Sequence, residues 1–288
     1  MKTTTKQFFK LKYLLFGLLL SYIIMCQSCM TMRMNLKETK SYFDSTKVAF
    51  VSKTIAVEDH QIHYIQTGNS DRPTLLFVHG SPGSWDAYKS YLTDSLLLQK
   101  YRMIAIDRPG FGYSNFGVAE NLEVQAKIIE SLVAQIDNHQ PIVLIGHSMG
   151  GPVVVKMATD APRLFQHLVV LAGAIDPKAE TPEIWRPIIK SQPLRYLIPG
   201  ALRPSNDELW WLKRDLYLME PDLKKITAHV TIIHGTKDPL VPYENMAFMN
   251  RAFIHAKSIE NISIENANHF IPWEHFELIR TTLLKLKI

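Results

Sequence analysis

The sequence predicts a single α/β domain, in which a mostly parallel sheet is flanked by helices and carries a small helical cap. Three observations lead to this prediction. Apolar runs of β type recur along the chain, and several are apolar throughout, as parallel strands buried on both faces should be. Helix-like stretches alternate with these runs. A chain of 288 residues, 47% of them hydrophobic, is long enough to build one large core.

The alternation gives eight predicted strands and five main helices. The strands are placed near 55–57, 62–66, 75–79, 103–107, 142–146, 167–171, 230–234 and 259–264. The helices are placed near 84–98, 121–137, 149–160, 243–255 and 273–286. The pattern breaks at about 177–226, which is rich in proline and aromatic residues. We expect that stretch to form a helical cap over the carboxyl ends of the strands, with Trp210 and Trp211 either lining a pocket or simply packing.

The pentapeptide GHSMG, at 146–150, lies between an apolar strand and a predicted helix. A serine at such a turn is typical of a nucleophile elbow, which points the hydroxyl out from the edge of the sheet. Glycines at 146 and 150 leave room for the tight turn. A serine before a helix also acts as a plain helix cap, so the assignment of Ser148 as the nucleophile depends on three further loops.

The first of these loops is HGSPG, at 79–83, which follows a predicted buried strand. Acyl transfer converts a carbonyl oxygen into an anion, and fixed backbone amides stabilise that anion. The loop and the residue after the serine supply such donors in this kind of site. We therefore predict the amides of Ser81 and Met149 as the oxyanion hole.

The other two loops supply an acid and a base. Asp238 follows the strand at 230–234 and is the candidate acid, with an Asx turn as its alternative role and Asp176 as the reserve candidate. His269 follows the last strand and is the candidate base, because an imidazole titrates near neutral pH and can both take and return a proton. Asp238 would hold the second ring nitrogen of His269.

Together with DRPGFGYS at 107–114, HGTKDPLVP at 234–242 and NANHF at 266–270, these loops resemble the α/β-hydrolase fold family from about residue 55 to the end. The order serine, aspartate, histidine is that family's order. The resemblance implies serine chemistry and gives Asp107 a structural role. Epoxide hydrolases and haloalkane dehalogenases of the family are similar but have an aspartate where this chain has Ser148. HGSPG is close to the HGGPG of proline iminopeptidases, with Ser81 in place of the second glycine.

The function predicted from these residues is hydrolysis of carboxylic esters through an acyl-enzyme intermediate. The expected partner is a small ester-like substrate, and no metal or organic cofactor is expected. The alternatives are an aminopeptidase of the iminopeptidase type, a thioesterase, a carbon–carbon bond hydrolase and a perhydrolase. An acidic pocket made by Glu180, Glu183 or Glu208 would favour the peptidase. A catalytically silent surface binding protein is the alternative outside enzymes.

The N-terminus predicts export. Four lysines precede the apolar run 13–25, which is shorter than the about 20 residues that a spanning helix needs, so a signal peptide over 1–28 is preferred. The segment ends in Cys26 and Cys29 and resembles a bacterial lipoprotein signal, with Cys29 favoured over Cys26 as the lipidated residue. Residues 29–54 would then be a polar tether, and 55–288 the catalytic domain. An ordinary signal segment is the alternative.

Charge excludes one class of partner. The formal net charge is +5, and the four N-terminal lysines account for most of it: without them, 28 basic residues face 27 acidic ones. The remaining balance does not indicate a nucleic-acid partner. The spacing of Cys26 and Cys29 also fits metal or redox chemistry, but no second pair accompanies them.

Overall fold

One sheet of eight strands organises the protein. The computed structural model describes the backbone of residues 2–288 and the side chains of 10–27 and 29–288. The strands are β1 (Phe50–Val57), β2 (His60–Thr67), β3 (Thr74–Val78), β4 (Arg102–Ile106), β5 (Ile142–His147), β6 (Phe165–Leu171), β7 (His229–Gly235) and β8 (Ser258–Ile264). Their order across the sheet is β1-β2-β4-β3-β5-β6-β7-β8. β2 pairs antiparallel with both neighbours, and all other pairs are parallel.

The helices lie along and between these strands. They are α1 (Lys2–Ser28), α2 (Leu36–Thr46), α3 (Lys89–Leu92), α4 (Ser95–Lys100), α5 (Leu122–Ile136), α6 (Gly150–Asp160), α7 (Arg186–Lys190), α8 (Leu202–Met219), α9 (Glu244–Ala252), α10 (Ile271–Glu274) and α11 (Phe276–Lys285). Short 3-10 helices occur at Trp85–Tyr88, Leu194–Leu197 and Glu220–Lys225. The predicted helix near 84–98 is therefore broken into three short pieces.

The sheet is covered on both faces, which is why its central strands are apolar throughout. Every residue of β3, β4 and β5 is buried. Along β3, Leu76 and Val78 pack into one hydrophobic core, whereas Leu75 and Phe77 pack into a second. Because successive side chains of a strand point to opposite faces, the two cores lie on opposite sides of the sheet. The predicted α/β-hydrolase fold is confirmed.

The cap predicted at about 177–226 lies between β6 and β7. It contains α7, α8 and the 3-10 helices at Leu194–Leu197 and Glu220–Lys225. The first turns of α8 carry a buried polar run, in which the side chains of Ser205, Asn206, Asp207 and Glu208 are all at most 4% exposed. Buried polar groups need partners, and the partners of Ser205 and Glu208 lie in the candidate site.

The segment before β1 differs from the expected polar tether. It contains α2, which begins with a capping box between Asn35 and Glu38. The ring of Phe43 on this helix is 1% exposed and stacks on Phe50 and Trp85. α2 thus packs against the domain through Thr39 and Phe43, its two buried residues.

Candidate active site

Ser148 occupies a tight turn between β5 and α6. Its φ is +53°, in the left-handed region, and its amide donates to the carbonyl of Leu171 at 3.0 Å. The flanking glycines are required: a Cβ at Gly146 would lie 2.3 Å from the carbonyl oxygen of Gly150, and one at Gly150 would lie 2.2 Å from that of Val78. The chain can thus turn sharply only with glycine on both sides of the serine.

The predicted oxyanion donors lie beside this turn. A Cβ placed on Gly80 would lie 3.0 Å from the Cβ of Ser148, so the loop after β3 runs directly against the serine. Among the described residues, the amides of Ser81 and Met149 have no hydrogen-bond acceptor. Free backbone donors next to a candidate nucleophile are the arrangement that an oxyanion hole needs. The Ser81 hydroxyl instead donates to Ser205 of the cap at 2.8 Å.

Asp238 and His269 are brought together, as their positions after β7 and β8 led us to expect. Oδ2 of Asp238 lies 2.7 Å from Nδ1 of His269. Oδ1 accepts from the amides of Leu240 and Val241 at 2.8 and 2.9 Å. The Asx turn and the contact with histidine are therefore made by different oxygens of one carboxylate. A carboxylate can only accept when ionised, so Nδ1 of His269 carries the proton and Nε2 is left as the base.

The carboxyl of Asp238 is held ionised by its neighbours. Burial alone would raise its pKa, but hydrogen bonds from His234, His269 and the amide of Val241 outweigh burial and lower the pKa of this carboxyl well below its usual range. The side chain is fully buried. The ionised carboxylate fixes the orientation of the His269 ring through its contact with Nδ1.

His147, the residue before Ser148, contacts His269. The rings of His147 and His269 have centroids 4.8 Å apart, and Nε2 of His147 donates to the carbonyl of His269 at 3.0 Å. Within the described residues, no hydrogen bond joins the Ser148 hydroxyl to the imidazole. Nε2 of His269 also has no partner there, so it remains available to a bound substrate or to the serine. Such contacts commonly tighten only when substrate binds.

The other histidines of these loops, His79 and His147, are buried and make local hydrogen bonds. His79 is fully buried, donates from Nδ1 to the carbonyl of Gly80 at 2.7 Å and accepts the amide of Arg108 at 3.0 Å. Burial, together with the charge of Arg108, holds its pKa well below 6.5. Burial, followed by the charge of His269, lowers the pKa of His147 to about 3. Neither ring is suited to exchange protons near neutral pH.

Neither of the other two acidic residues singled out in the sequence approaches His269. The amide of Asp176 donates to Asn245 at 2.7 Å, and its carboxylate accepts the amide of Lys178 at 2.8 Å. Asp107 accepts the amides of Trp85 and Tyr113 and the Nδ1 proton of His63, all within 2.9 Å. The carboxylate of Asp107 therefore ties three segments together.

A buried ion pair that sequence reasoning missed joins the cap to the loop at 79–83, which we call the oxyanion loop because it carries the candidate donor of Ser81. Both carboxylate oxygens of Glu208 contact the guanidinium of Arg108, at 2.6 and 2.9 Å, and both side chains are fully buried. The same guanidinium donates to the carbonyls of His79 and Gly80 at 2.9 and 3.0 Å, and to Gln125 at 2.6 Å. Arg108 thus holds the loop through its carbonyl groups. The only signal in the sequence was the arginine of DRPGFGYS.

The carboxylates considered for an acidic pocket have other partners. Glu208 is paired with Arg108, and Glu183 contacts Arg186. Burial raises the pKa of Glu180 despite the nearby charges of Lys213 and Arg186.

Trp211 is covered by Lys190, whose Nζ lies 4.2 Å from the ring. Aromatic side chains near the site itself come from elsewhere: Trp273 stands edge-on to His147 at 5.3 Å.

The two cysteines differ sharply in exposure. Cys26 is buried and Cys29 is exposed, and both are free. In the part of the chain that the structure describes, no cluster of His, Cys, Asp and Glu has the arrangement of a metal site.

Comparison with known proteins agrees with this architecture. Residues 73–197 match the alpha/beta hydrolase fold family. The chain is 26% identical over 266 residues to the uncharacterized hydrolase YugF of Bacillus subtilis, covering 79% of this chain and 94% of that protein. It is 29% identical over 125 residues to epoxide hydrolase 1 of Caenorhabditis elegans, covering 41% of this chain and only 29% of that protein. An esterase from Exiguobacterium antarcticum has a similar structure, with a TM-score of 0.66, 19% identity and coverage of 81% and 98%.

The fold and the family match define the class. The protein has the α/β-hydrolase fold, and its residues 73–197 match the model of the family of that name. Within that fold, the four loops at the carboxyl ends of β3, β5, β7 and β8 form the candidate active site.

Proposed function

We propose that this protein is a serine hydrolase that cleaves carboxylic esters through an acyl-enzyme. The observation that carries the proposal is the buried contact of 2.7 Å between Asp238 and His269, at the sheet edge where Ser148 sits at a φ of +53°. An ionised carboxylate, an imidazole held by it and a serine in a tight turn at the same edge of the sheet suit one chemistry, which is the activation of a serine hydroxyl.

The proposed reaction has two halves. The Ser148 oxygen attacks the ester carbonyl while Nε2 of His269 takes its proton, and the amides of Ser81 and Met149 stabilise the resulting oxyanion. The intermediate collapses, the carbon–oxygen bond of the ester breaks, and the alcohol leaves with the proton from His269. Water then attacks the acyl-serine, again losing a proton to His269, and the carboxylic acid is released while that proton returns to Ser148.

Two alternatives lose support. Epoxide hydrolases occur among the similar proteins, but the resemblance assigns them an aspartate nucleophile, and position 148 is a serine in this chain. An aminopeptidase needs an acidic group to bind the substrate amine, and because Glu208 and Glu183 are already in ion pairs, only Glu180 of the three candidates is left for that role. A thioesterase, a perhydrolase and a carbon–carbon bond hydrolase use the same three groups and are separated by substrate alone.

A fluorophosphonate probe tests the serine assignment. We expect the folded protein to be labelled and the variant Ser148→Ala to show no labelling, with Ser45→Ala, at an exposed position on α2, as the matched control that keeps full labelling. A folded wild-type protein that takes no label would instead support the silent binding protein. Nitrophenyl esters of short and long acids, a thioester and an aminoacyl naphthylamide then separate the substrate classes.

We further propose that the enzyme is exported and works at a membrane. If a cysteine is lipidated, the exposure of Cys29 and the burial of Cys26 favour Cys29. Labelling with a palmitate analogue in wild type, Cys29→Ala and Cys26→Ala tests this: loss of label in Cys29→Ala alone supports lipidation there, and an unlabelled wild type excludes it.

A further inference from the structure

The end of α1 is packed against the cap. The Tyr22 hydroxyl donates to the carbonyl of Leu197 at 3.1 Å, and the Gln27 side chain donates to that of Tyr196 at 3.0 Å. The amide of Gly200 donates to the carbonyl of Cys26 at 2.9 Å. Backbone and side-chain groups of α1 thus satisfy polar groups of the cap between the 3-10 helix Leu194–Leu197 and α8.

Gly200 shows how close this contact is. Its φ is +35°, and a Cβ there would lie 2.4 Å from the carbonyl oxygen of Cys29 and 2.3 Å from that of Met30. The next amide, of Ala201, donates to the Met30 carbonyl at 2.9 Å. The chain leaving α1 therefore runs directly over the start of α8, the helix whose Glu208 holds Arg108 at the oxyanion loop.

The described side chains of α1 are mostly exposed. The span Lys10–Gln27 has a mean hydropathy of 1.3 and is only 6% buried. At 1.5 Å per residue its 18 residues measure about 27 Å, close to the about 30 Å of a hydrocarbon core. Exposed apolar side chains along it include Leu11, Leu14, Leu15, Phe16, Leu18, Leu19, Leu20 and Ile24. A helix of this kind is stable in lipid and not in water.

Apolar side chains of the cap are exposed beside the same contact. We call them the cap apolar group: Ile184, Trp185, Ile188, Leu194 and Tyr196, which are 38–83% exposed. They lie just before α7, on α7, and on the 3-10 helix that α1 touches, and these elements contact one another. Basic residues alternate with them, at Arg186, Lys190 and Arg195. Aromatic and basic side chains next to apolar ones are typical of protein surfaces that lie at a lipid headgroup layer.

We propose that α1 is retained as a membrane-spanning anchor and that it seats the cap apolar group on the bilayer surface. Cleavage before Cys29 would remove Tyr22, Cys26 and Gln27, and with them the polar partners that the cap has in α1. Lys2 and Lys6 lie ahead of the span and Lys10 and Lys12 lie in its first turn, and these charges favour an N-terminus on the cytoplasmic side with the catalytic domain facing outward. The substrate is then an ester embedded in lipid, and this last step alone rests on the proposed function.

Retention of α1 is tested with the full chain carrying one epitope at each end. We expect both epitopes on one membrane-bound band in wild type and in Cys29→Ala, extracted by detergent but not by carbonate. A mature band without the N-terminal epitope, restored to full length by Cys29→Ala, would overturn retention and support lipoprotein processing.

Seating of the cap is tested without activity, by tryptophan fluorescence of the full chain in vesicles containing brominated phosphatidylcholine. Trp185 is 45% exposed, whereas Trp85 is 1% exposed in the core. We expect Trp185→Phe to lose at least half of the quenching and the matched control Trp85→Phe to keep it. Equal quenching in wild type and Trp185→Phe would exclude the cap from the lipid surface.

The substrate step is tested by the double variant Ile184→Lys/Ile188→Lys, with Ile254→Lys as the control at an exposed apolar position outside the cap. We expect hydrolysis of a vesicle-borne long-chain ester to fall about tenfold while a soluble short-chain ester is cleaved within twofold of wild type. Equal rates on both esters in the double variant and wild type would refute delivery from lipid. A wild type inactive on both would refute the proposed ester hydrolysis and leave the anchor and the seating to be judged by the epitopes and the quenching.

Discussion

At the scale of single residues, different atoms of one side chain make different contacts in the candidate site. Asp238 uses one oxygen for two backbone amides and the other for His269. The amides fix the carboxylate in place, so the imidazole it holds is fixed as well. Asp176 differs from Asp238, because its carboxylate accepts the amide of Lys178 in its own loop and makes no contact with His269.

Asp238→Asn is expected to lower kcat by about 10³–10⁴-fold on any ester that the wild type cleaves, because an amide there stabilises neither the required tautomer nor the imidazolium. Asp176→Asn is the matched control and should stay within a few-fold of wild type. Steady-state kinetics on a short nitrophenyl ester measure both. Similar losses in the two variants would remove Asp238 from its proposed role.

A second prediction concerns Ser81, whose proposed contribution is its backbone amide. Ser81→Ala keeps that amide and loses only the hydrogen bond to Ser205, so we expect kcat to change less than about threefold and the free energy of unfolding to fall by about 1 kcal/mol. Ester kinetics and urea denaturation measure the two effects. A hundredfold fall in kcat would mean that the hydroxyl itself acts in the reaction.

At the scale of elements, α8 couples the cap to the sheet. Its first turns are polar, yet Glu208 and Asp207 are buried because Arg108 and Arg195 pair with them. Such pairs cannot be predicted from local pattern, since their partners lie 100 and 12 positions away. The strands and the site loops were predictable, because apolar runs and the residues that follow them are local. α2 was missed although its Asn35 and Glu38 carry a capping-box signal.

Glu208→Gln is expected to destabilise the protein by about 3 kcal/mol, because it leaves the buried guanidinium of Arg108 without its counter-charge. Asp207→Asn is the matched control: its partner Arg195 is 21% exposed, so water replaces part of the lost interaction and the cost should be about 1 kcal/mol. Urea denaturation of both variants at pH 7 gives the comparison. Equal losses of unfolding free energy would show that the buried pair with Arg108 stabilises the protein no more than the partly exposed pair with Arg195.

At the scale of the whole molecule, the site exists only because β3, β5, β7 and β8 end at one edge of the sheet. That placement follows from parallel pairing, which the sequence predicted. Histidines are buried both at this edge and elsewhere in the sheet: His79 and His147 at the edge, and His167 near the start of β6, are all at most 5% exposed. Burial is the leading cause that lowers the pKa of each of them, to about 3 for His147 and about 4 for His167.

This burial predicts an acid-sensitive fold. A histidine whose pKa is lower in the folded than in the unfolded chain contributes stability that is complete above about pH 6.5 and is lost as pH falls towards the folded pKa. Glu130 opposes this trend, because burial raises its pKa to about 7 and acidification relieves that cost. Glu130 is present in every variant, so its contribution cancels when the pH-dependent losses of stability of two variants are compared. The imidazole of His147 donates to the carbonyl of His269, and a glutamine side chain retains an N–H donor.

We therefore expect the loss of unfolding free energy between pH 7 and pH 5 to be smaller by about 2 kcal/mol in His147→Gln than in wild type. His139→Gln is the control, because the His139 side chain is 92% exposed and pairs only with Asp137 at the surface. Urea denaturation at the two pH values gives the three differences. If His147→Gln and wild type lose the same unfolding free energy, protonation of His147 does not destabilise the protein in acid. Burial beside His269 would then not disfavour the charged form of this ring.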